Sequence, residues 1–190
     1  MPDTGAPWNI PYVAGTDLVS DWPTDSLALA NAIDAGLDAA YVGIGTNVVQ
    51  AVKTNTFTLN SSTFADVTGL SVAITPTTNT AKVLILVQLT GIVGATNNIG
   101  FQIVRDSTAI GIADAAGNRT RATISAYSAA TEAYNAAAIF LDSPATTSAT
   151  TYKVQMLCGA SVTIGINSDD ADLALRPRSI QTLTAIEVAA

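Results

Sequence analysis

The sequence predicts an all-β protein, an antiparallel β-sandwich of jelly-roll type preceded by an extended N-terminal arm and one short α-helix. Three observations lead there. Roughly ten short segments of period-two or continuous hydrophobicity follow one another with turn residues between them and no helical period among them. Thr, Ser, Ala and Asn supply much of the bulk, while aromatic residues make up 6% and charged residues 12% of the 190 residues. Helical spacing is confined to one window near the N-terminus. Thr suits a pleated surface because its β-branched side chain is already restricted at χ1.

The first segment, Gly5-Ala6-Pro7-Trp8-Asn9-Ile10-Pro11-Tyr12-Val13, has two prolines and two large aromatics without period. Proline fixes its own φ and restricts the residue before it, so an extended arm is expected that presents Trp8, Ile10, Pro11 and Tyr12 as anchors for a partner surface. Trp22 joins this docking set just before Pro23-Thr24-Asp25, where Thr24 or Asp25 is expected to cap a helix over 26–40. Within that helix Leu29, Ile33, Leu37 and Ala40 recur at three- and four-residue spacing, with Asp34 and Asp38 off the stripe. A seam this narrow is that of a short coiled coil or of a helix lying on a neighbour, and burial against other copies would stabilise a helix marginal on its own. The chain thus divides into an arm (1–24), a helix with linker (25–47) and a β-rich head (48–190).

In the head, strands are expected over 54–59, 64–67, 70–74, 82–93, 100–105, 108–113, 121–127, 133–141, 151–157, 162–166 and 179–188. Asn60-Ser61-Ser62 reads as a turn, and Pro76 ends the segment before it. The run Val83-Leu84-Ile85-Leu86-Val87 is far too short for the ~20 residues that span a bilayer and reads as a central strand covered on both faces. The lone Cys158, in the context Met156-Leu157-Cys158, reads as a small core residue.

The chemistry available is narrow. The chain has no histidine, which removes the commonest general base and metal ligand and with them Ser-His-Asp and Cys-His catalysis. No cofactor is expected, and no enzyme. A polysaccharide-degrading spike remains a weaker alternative, resting on scattered carboxylates. Asp169, Asp170 and Asp172 with Asn167 offer oxygens for Ca²⁺, but the glycine and distal glutamate of an EF-hand are missing, so a solvated loop is the expectation. Eight basic against fifteen acidic residues give a net charge of −7, a surface that repels nucleic acid and anionic membrane. The first residues offer no secretory signal, so Asn60-Ser61-Ser62 and Asn118-Arg119-Thr120 carry little weight as glycosylation acceptors. Arg119 and Arg121 are expected on one strand face near Tyr127 and Tyr134, a mixture suited to a sugar or a subunit carboxylate, with ion pairs to Asp114 as the plainer reading.

The arm, followed by Gly15-Thr16-Asp17-Leu18-Val19 and the helix end Ala35-Gly36-Leu37-Asp38-Ala39-Ala40, resembles the start of bacteriophage tail-fibre and minor tail proteins. Phe64-Ala65-Asp66-Val67-Thr68-Gly69-Leu70 and Asp142-Ser143-Pro144-Ala145 are similar to stretches of phage virion proteins with β-rich heads. The resemblance implies a virion structural protein, assembled in the host cytoplasm, whose arm docks on other virion proteins. Its helix would bundle into a homotrimer, and its head would project for attachment to a host glycan or protein. A capsid decoration or head-fibre protein is the alternative.

Overall fold

A computed structural model of the chain describes residues 22–40, 47–130, 132–166 and 173–188. The chain divides after Gly43 into two units, 1–43 and 44–190. In the first, α1 (Trp22–Ala40) begins at Trp22 and not near Ser26. Pro23 fits in the first turn because its missing N–H would have had no intrahelical acceptor there, and the alanine-rich sequence that follows has high helix propensity. Leu29 is partly buried, whereas Leu27 and Ile33 stand 61% and 45% exposed. The side chains of Trp22, Leu37 and Ala40, and all of Trp8, Ile10, Pro11 and Tyr12, lie outside the described residues.

The second unit holds nine strands: β1 (Val48–Lys53), β2 (Phe57–Ile74), β3 (Lys82–Gly94), β4 (Asn97–Arg105), β5 (Thr108–Ile110), β6 (Ile124–Ser128), β7 (Tyr134–Asp142), β8 (Thr150–Ile164) and β9 (Gln181–Val188). Every pairing is antiparallel. One sheet runs β1-β9-β3-β7, the other β2-β8-β4, with β5 and β6 sharing the far edge of β4. Setting the three-residue β5 aside, this interleaving of early and late strands is the double Greek key of a jelly roll. The two sheets join at one corner, where the end of β3 pairs β8 through Val93 opposite Thr163 and Gly94 opposite Val162.

That corner depends on Gly91. Its φ is +63°, the register with β7 slips between Leu89 and Ile92, and a Cβ there would lie 2.1 Å from the Ile166 carbonyl oxygen. Only a residue without a side chain lets the two backbones approach so closely.

Between the sheets lies one core, built by alternation along each strand. Val83, Ile85 and Leu89 of β3 and Leu183 and Ala185 of β9 meet Phe101 and Ile103 of β4 and Tyr152, Val154, Met156 and Cys158 of β8, all at most 2% exposed. Cys158 is the expected core residue, its thiol directed at the Leu59 carbonyl at 3.2 Å.

Several expected elements differ. Asn60-Ser61-Ser62 is not a turn: β2 continues through it, and the residues are absorbed by register shifts against β8, with Ser61 Oγ donating to the Thr63 carbonyl at 2.8 Å. Turn-forming side chains satisfy backbone groups as well inside a bulge as at a reversal. By the same route β8 runs unbroken through Gly159, merging the two strands expected at 151–157 and 162–166. β1 was not among the expected strands, and residues 121–123 lie outside β6. Finally, β3 is buried on one face only. Leu84 and Leu86 remain partly exposed on the outside of the sheet, where they meet other apolar side chains across the strands.

Candidate functional site

Two surfaces follow from this architecture, one on each sheet. On the outside of β1-β9-β3-β7 the register places Val48, Ile186, Leu84 and Leu141 in one row across four strands. The next rows are Gln50, Thr184, Leu86, Ile139 and Val52, Thr182, Gln88, Ala137. None of these twelve side chains is charged, and Ile139 is 74% exposed, Val48 50% and Leu141 46%. A shallow groove of about 360 Å³ runs between Leu86 and Gln88 on β3 and Ala137 and Ile139 on β7.

The other surface is a cleft of about 570 Å³ bounded by β4, β6, β8 and the 111–123 loop. Its floor is Gly100, which stands opposite Ser125 on β6 and Leu157 on β8. A Cβ at Gly100 would press against Leu157 at 3.3 Å and Ala122 at 3.6 Å, so the glycine keeps the floor low. Asn98 and Thr120 stand on the rim with Arg119. Tyr127, 47% exposed, is the cross-strand partner of Asn98 and therefore shares its face.

The loop that carries Arg119 is fastened at several points. Ala113 N–H donates to the Ala122 carbonyl at 3.2 Å, Thr123 N–H to the Phe101 carbonyl at 2.8 Å, and the Thr123 hydroxyl accepts from Ile103 N–H at 3.1 Å. The Arg121 guanidinium donates to the Ala113 carbonyl. Arg119 is held by its backbone, N–H to the Ala116 carbonyl at 3.2 Å, and is one of the residues that line the cleft.

This arrangement corrects the expected pairing of the two arginines. They do not project together from a strand, because β6 starts only at Ile124. Arg121 is a loop fastener, Arg119 lines the cleft, and neither pairs with Asp114: among the described residues the ion pairs are Arg105–Asp142 and Lys153–Asp66, each at 2.9 Å. Tyr134 packs against the core, and its hydroxyl donates to Glu132, whose carboxylate raises the phenol's pKa above its usual value. Asn98, Gly100, Thr120, Ser125 and Leu157 were not foreseen as site residues. Of these only Gly100, a glycine inside a strand, carried a signal.

The buried polar groups are structural pins. Asp142, at the end of β7, accepts both bonds from Arg105 Nη1 at 2.9 Å and one from the Tyr152 hydroxyl at 2.6 Å, tying one sheet to the other. Burial first, then the Asp142 carboxylate, push the Tyr152 phenol far above its normal range. Glu187 of β9 accepts from Thr77 N–H at 2.7 Å, from the Thr77 hydroxyl and from Asn47 Nδ2 at 3.0 Å. Burial alone would raise its pKa, but these donors outweigh it and hold the carboxyl below its ordinary 4.5. A depressed folded-state value means that the unfolded chain takes up the proton first, so this stabilisation is complete above the ordinary value and is lost as pH falls through the folded one. Glu187→Gln should therefore lower the urea midpoint at pH 7 and flatten its decline between pH 5 and 3. An acid limb as steep as that of the parent protein would show that other carboxyls drive it.

Among the described residues no three of His, Cys, Asp and Glu gather as a metal set, and no helix is long and apolar enough to cross a membrane. Asn167, Asp169, Asp170 and Asp172, the Ca²⁺ candidates, lie outside the described residues. The fold and its surfaces define the second unit as an all-β jelly-roll domain with a broad uncharged patch on one sheet and an open cleft carrying an arginine on the other. No protein-family model matches the chain, and no curated protein matches it.

Proposed function

We propose that the chain is a non-enzymatic bacteriophage virion structural protein, a trimeric tail-fibre or minor tail protein that docks by its N-terminus and projects its β-sandwich for host attachment. The observation that carries this reading is the uncharged twelve-residue patch on the outer face of β1-β9-β3-β7, beyond which Lys82 stands at the start of β3. In a chain of net charge −7, a second copy meets least repulsion where no charge stands, and the row Val48, Ile186, Leu84 and Leu141 offers apolar surface that the strands around it leave uncovered. Ile33 of the α1 seam, 45% exposed, is a second apolar contact point for neighbouring copies. The arm's likeness to phage tail proteins supplies the virion context, and fold alone does not, because jelly rolls serve many functions.

Light scattering of the isolated protein should give three times the 19.4 kDa chain mass. Ile139→Asp, at a position exposed in the single chain, should shift that mass toward monomer while far-UV circular dichroism and cooperative unfolding persist. A monomeric parent protein would refute the trimer. For the virion role, deleting residues 1–19 should leave a folded oligomer that no longer joins particles. Labelled full-length copies should sit at the tail; label spread over the head would make this a capsid decoration protein, and no label on particles would end the virion reading.

A further inference from the structure

We propose that the cleft between β4, β6, β8 and the 111–123 loop is a saccharide site in which Arg119 selects a sugar bearing a carboxylate. This names the ligand class of the projecting head and rests on the host-attachment reading for its biological setting, though the binding itself can be tested on the protein alone.

Lys53 Nζ is spent on Asn55 at 2.7 Å, Arg105 on Asp142, Lys153 on Asp66 and Arg121 on the Ala113 carbonyl, and Arg176 and Arg178 also have partners. Of the eight basic side chains, Arg119 and Lys82 make no hydrogen bond or ion pair among the described residues, and Arg119 is the one that lines a cleft. Among the described residues no carboxylate forms an ion pair with this guanidinium. The planar fork of arginine matches a carboxylate with two parallel hydrogen bonds.

A sugar ring presents a rim of hydroxyls and a flat C–H face, and it needs both polar partners and an apolar or aromatic surface. Asn98, Thr120 and Ser125 supply amide and hydroxyl groups whose side chains make no hydrogen bond among the described residues. Gly100 and Leu157 supply a low apolar floor, and Tyr127 stands beside Asn98 as an exposed ring. A volume of about 570 Å³ suits one or two sugar rings.

The alternatives fit less well. An extended peptide is usually gripped by the open edge of a strand. Here the cleft opens on a sheet face, and β4 is already paired on both sides, to β8 and to β6. A polyanion such as nucleic acid would meet one arginine on a chain of net charge −7.

The test is a titration of the ¹⁵N-labelled full chain with methyl glucuronoside and, in parallel, with neutral methyl glucoside. The acid should move the amide signals of Asn98, Gly100 and Ser125 and the Arg119 Nε–H, with affinity about tenfold above that of the neutral sugar. Arg119→Gln should remove that tenfold preference, Arg119→Lys should keep part of it, and Ser125→Leu, which fills the cleft from an exposed strand position, should abolish both titrations while signals elsewhere stay in place. Equal affinity for the two sugars, shifts centred away from the cleft, or no saturable shift with either would overturn the proposal. So would displacement of the sugar by a lower concentration of an N-acetylated peptide with a free C-terminal carboxylate. Particle labelling reads the virion role separately, so loss of sugar binding with label still at the tail refutes the cleft alone. Sugar binding without particle label refutes the virion reading alone.

Discussion

Replacing Gly91 by alanine is expected to lower the unfolding free energy by about 3 kcal/mol or more, as the added Cβ forces strain and a backbone shift at the corner joining the two sheets. Two penalties add at this position. A left-handed φ of +63° costs a residue with a side chain roughly 1–2 kcal/mol by itself. The methyl would also stand 2.1 Å from the Ile166 oxygen and 2.8 Å from the Ile166 nitrogen, atoms that cannot move alone because Ile166 N–H is bonded to the Gly91 carbonyl at 3.3 Å. Gly117 is the natural control. Its φ is +60°, nearly the same, but a Cβ there would meet nothing within 4 Å. Gly117→Ala should therefore show the conformational cost alone, and Gly91→Ala at least twice that, as urea midpoints at constant slope. Equal losses would mean that the corner relaxes around a methyl group.

Gly91 also illustrates how much of the molecule was legible in sequence. Alternation along β4, β7 and β9 was legible, because a strand with one face in the core must alternate, and the sandwich followed from the count and spacing of such segments. Where side-chain chemistry is ambiguous the reading slipped. Asn60, Ser61 and Ser62 suit a bulge as well as a turn, and β2 uses them as bulges. The apolar run 83–87 signals burial without saying by what. Ile85 is covered by the second sheet of the same unit, whereas Leu84 and Leu86 face outward and stay partly exposed. The cleft was the least legible part. Arg119 and Tyr127 were visible as candidates, but Gly100 gains its role only because register sets it between Ser125 and Leu157, residues far from it in the chain. Arg121 was misjudged because strand β6 starts later than its alternation suggested, which frees the 121–123 backbone to fold against Ala113 and Phe101.

The other large effect is expected at Asp142. Asp142→Ala removes the acceptor for two buried or half-buried donors at once, Tyr152 from β8 and Arg105 from β4, while the donors stay where the core holds them. Tyr152 is fully buried, so its hydroxyl has no route to water, and the carboxylate side chain itself is only 7% exposed. Breaking such a group from one side should destabilise the head by about 3 kcal/mol, since an uncompensated cation and phenol remain inside. Tyr152→Phe, which removes a donor and leaves the Arg105–Asp142 pair intact, should cost only about 1 kcal/mol. The double variant Asp142→Ala with Tyr152→Phe should then be less damaged than the sum of the two, because the orphaned hydroxyl is gone. Thermal or urea unfolding of the four proteins closes that cycle. Strict additivity would show that Asp142 pins the sheets through Arg105 alone, and the contact between β7 and β8 would carry none of the coupling.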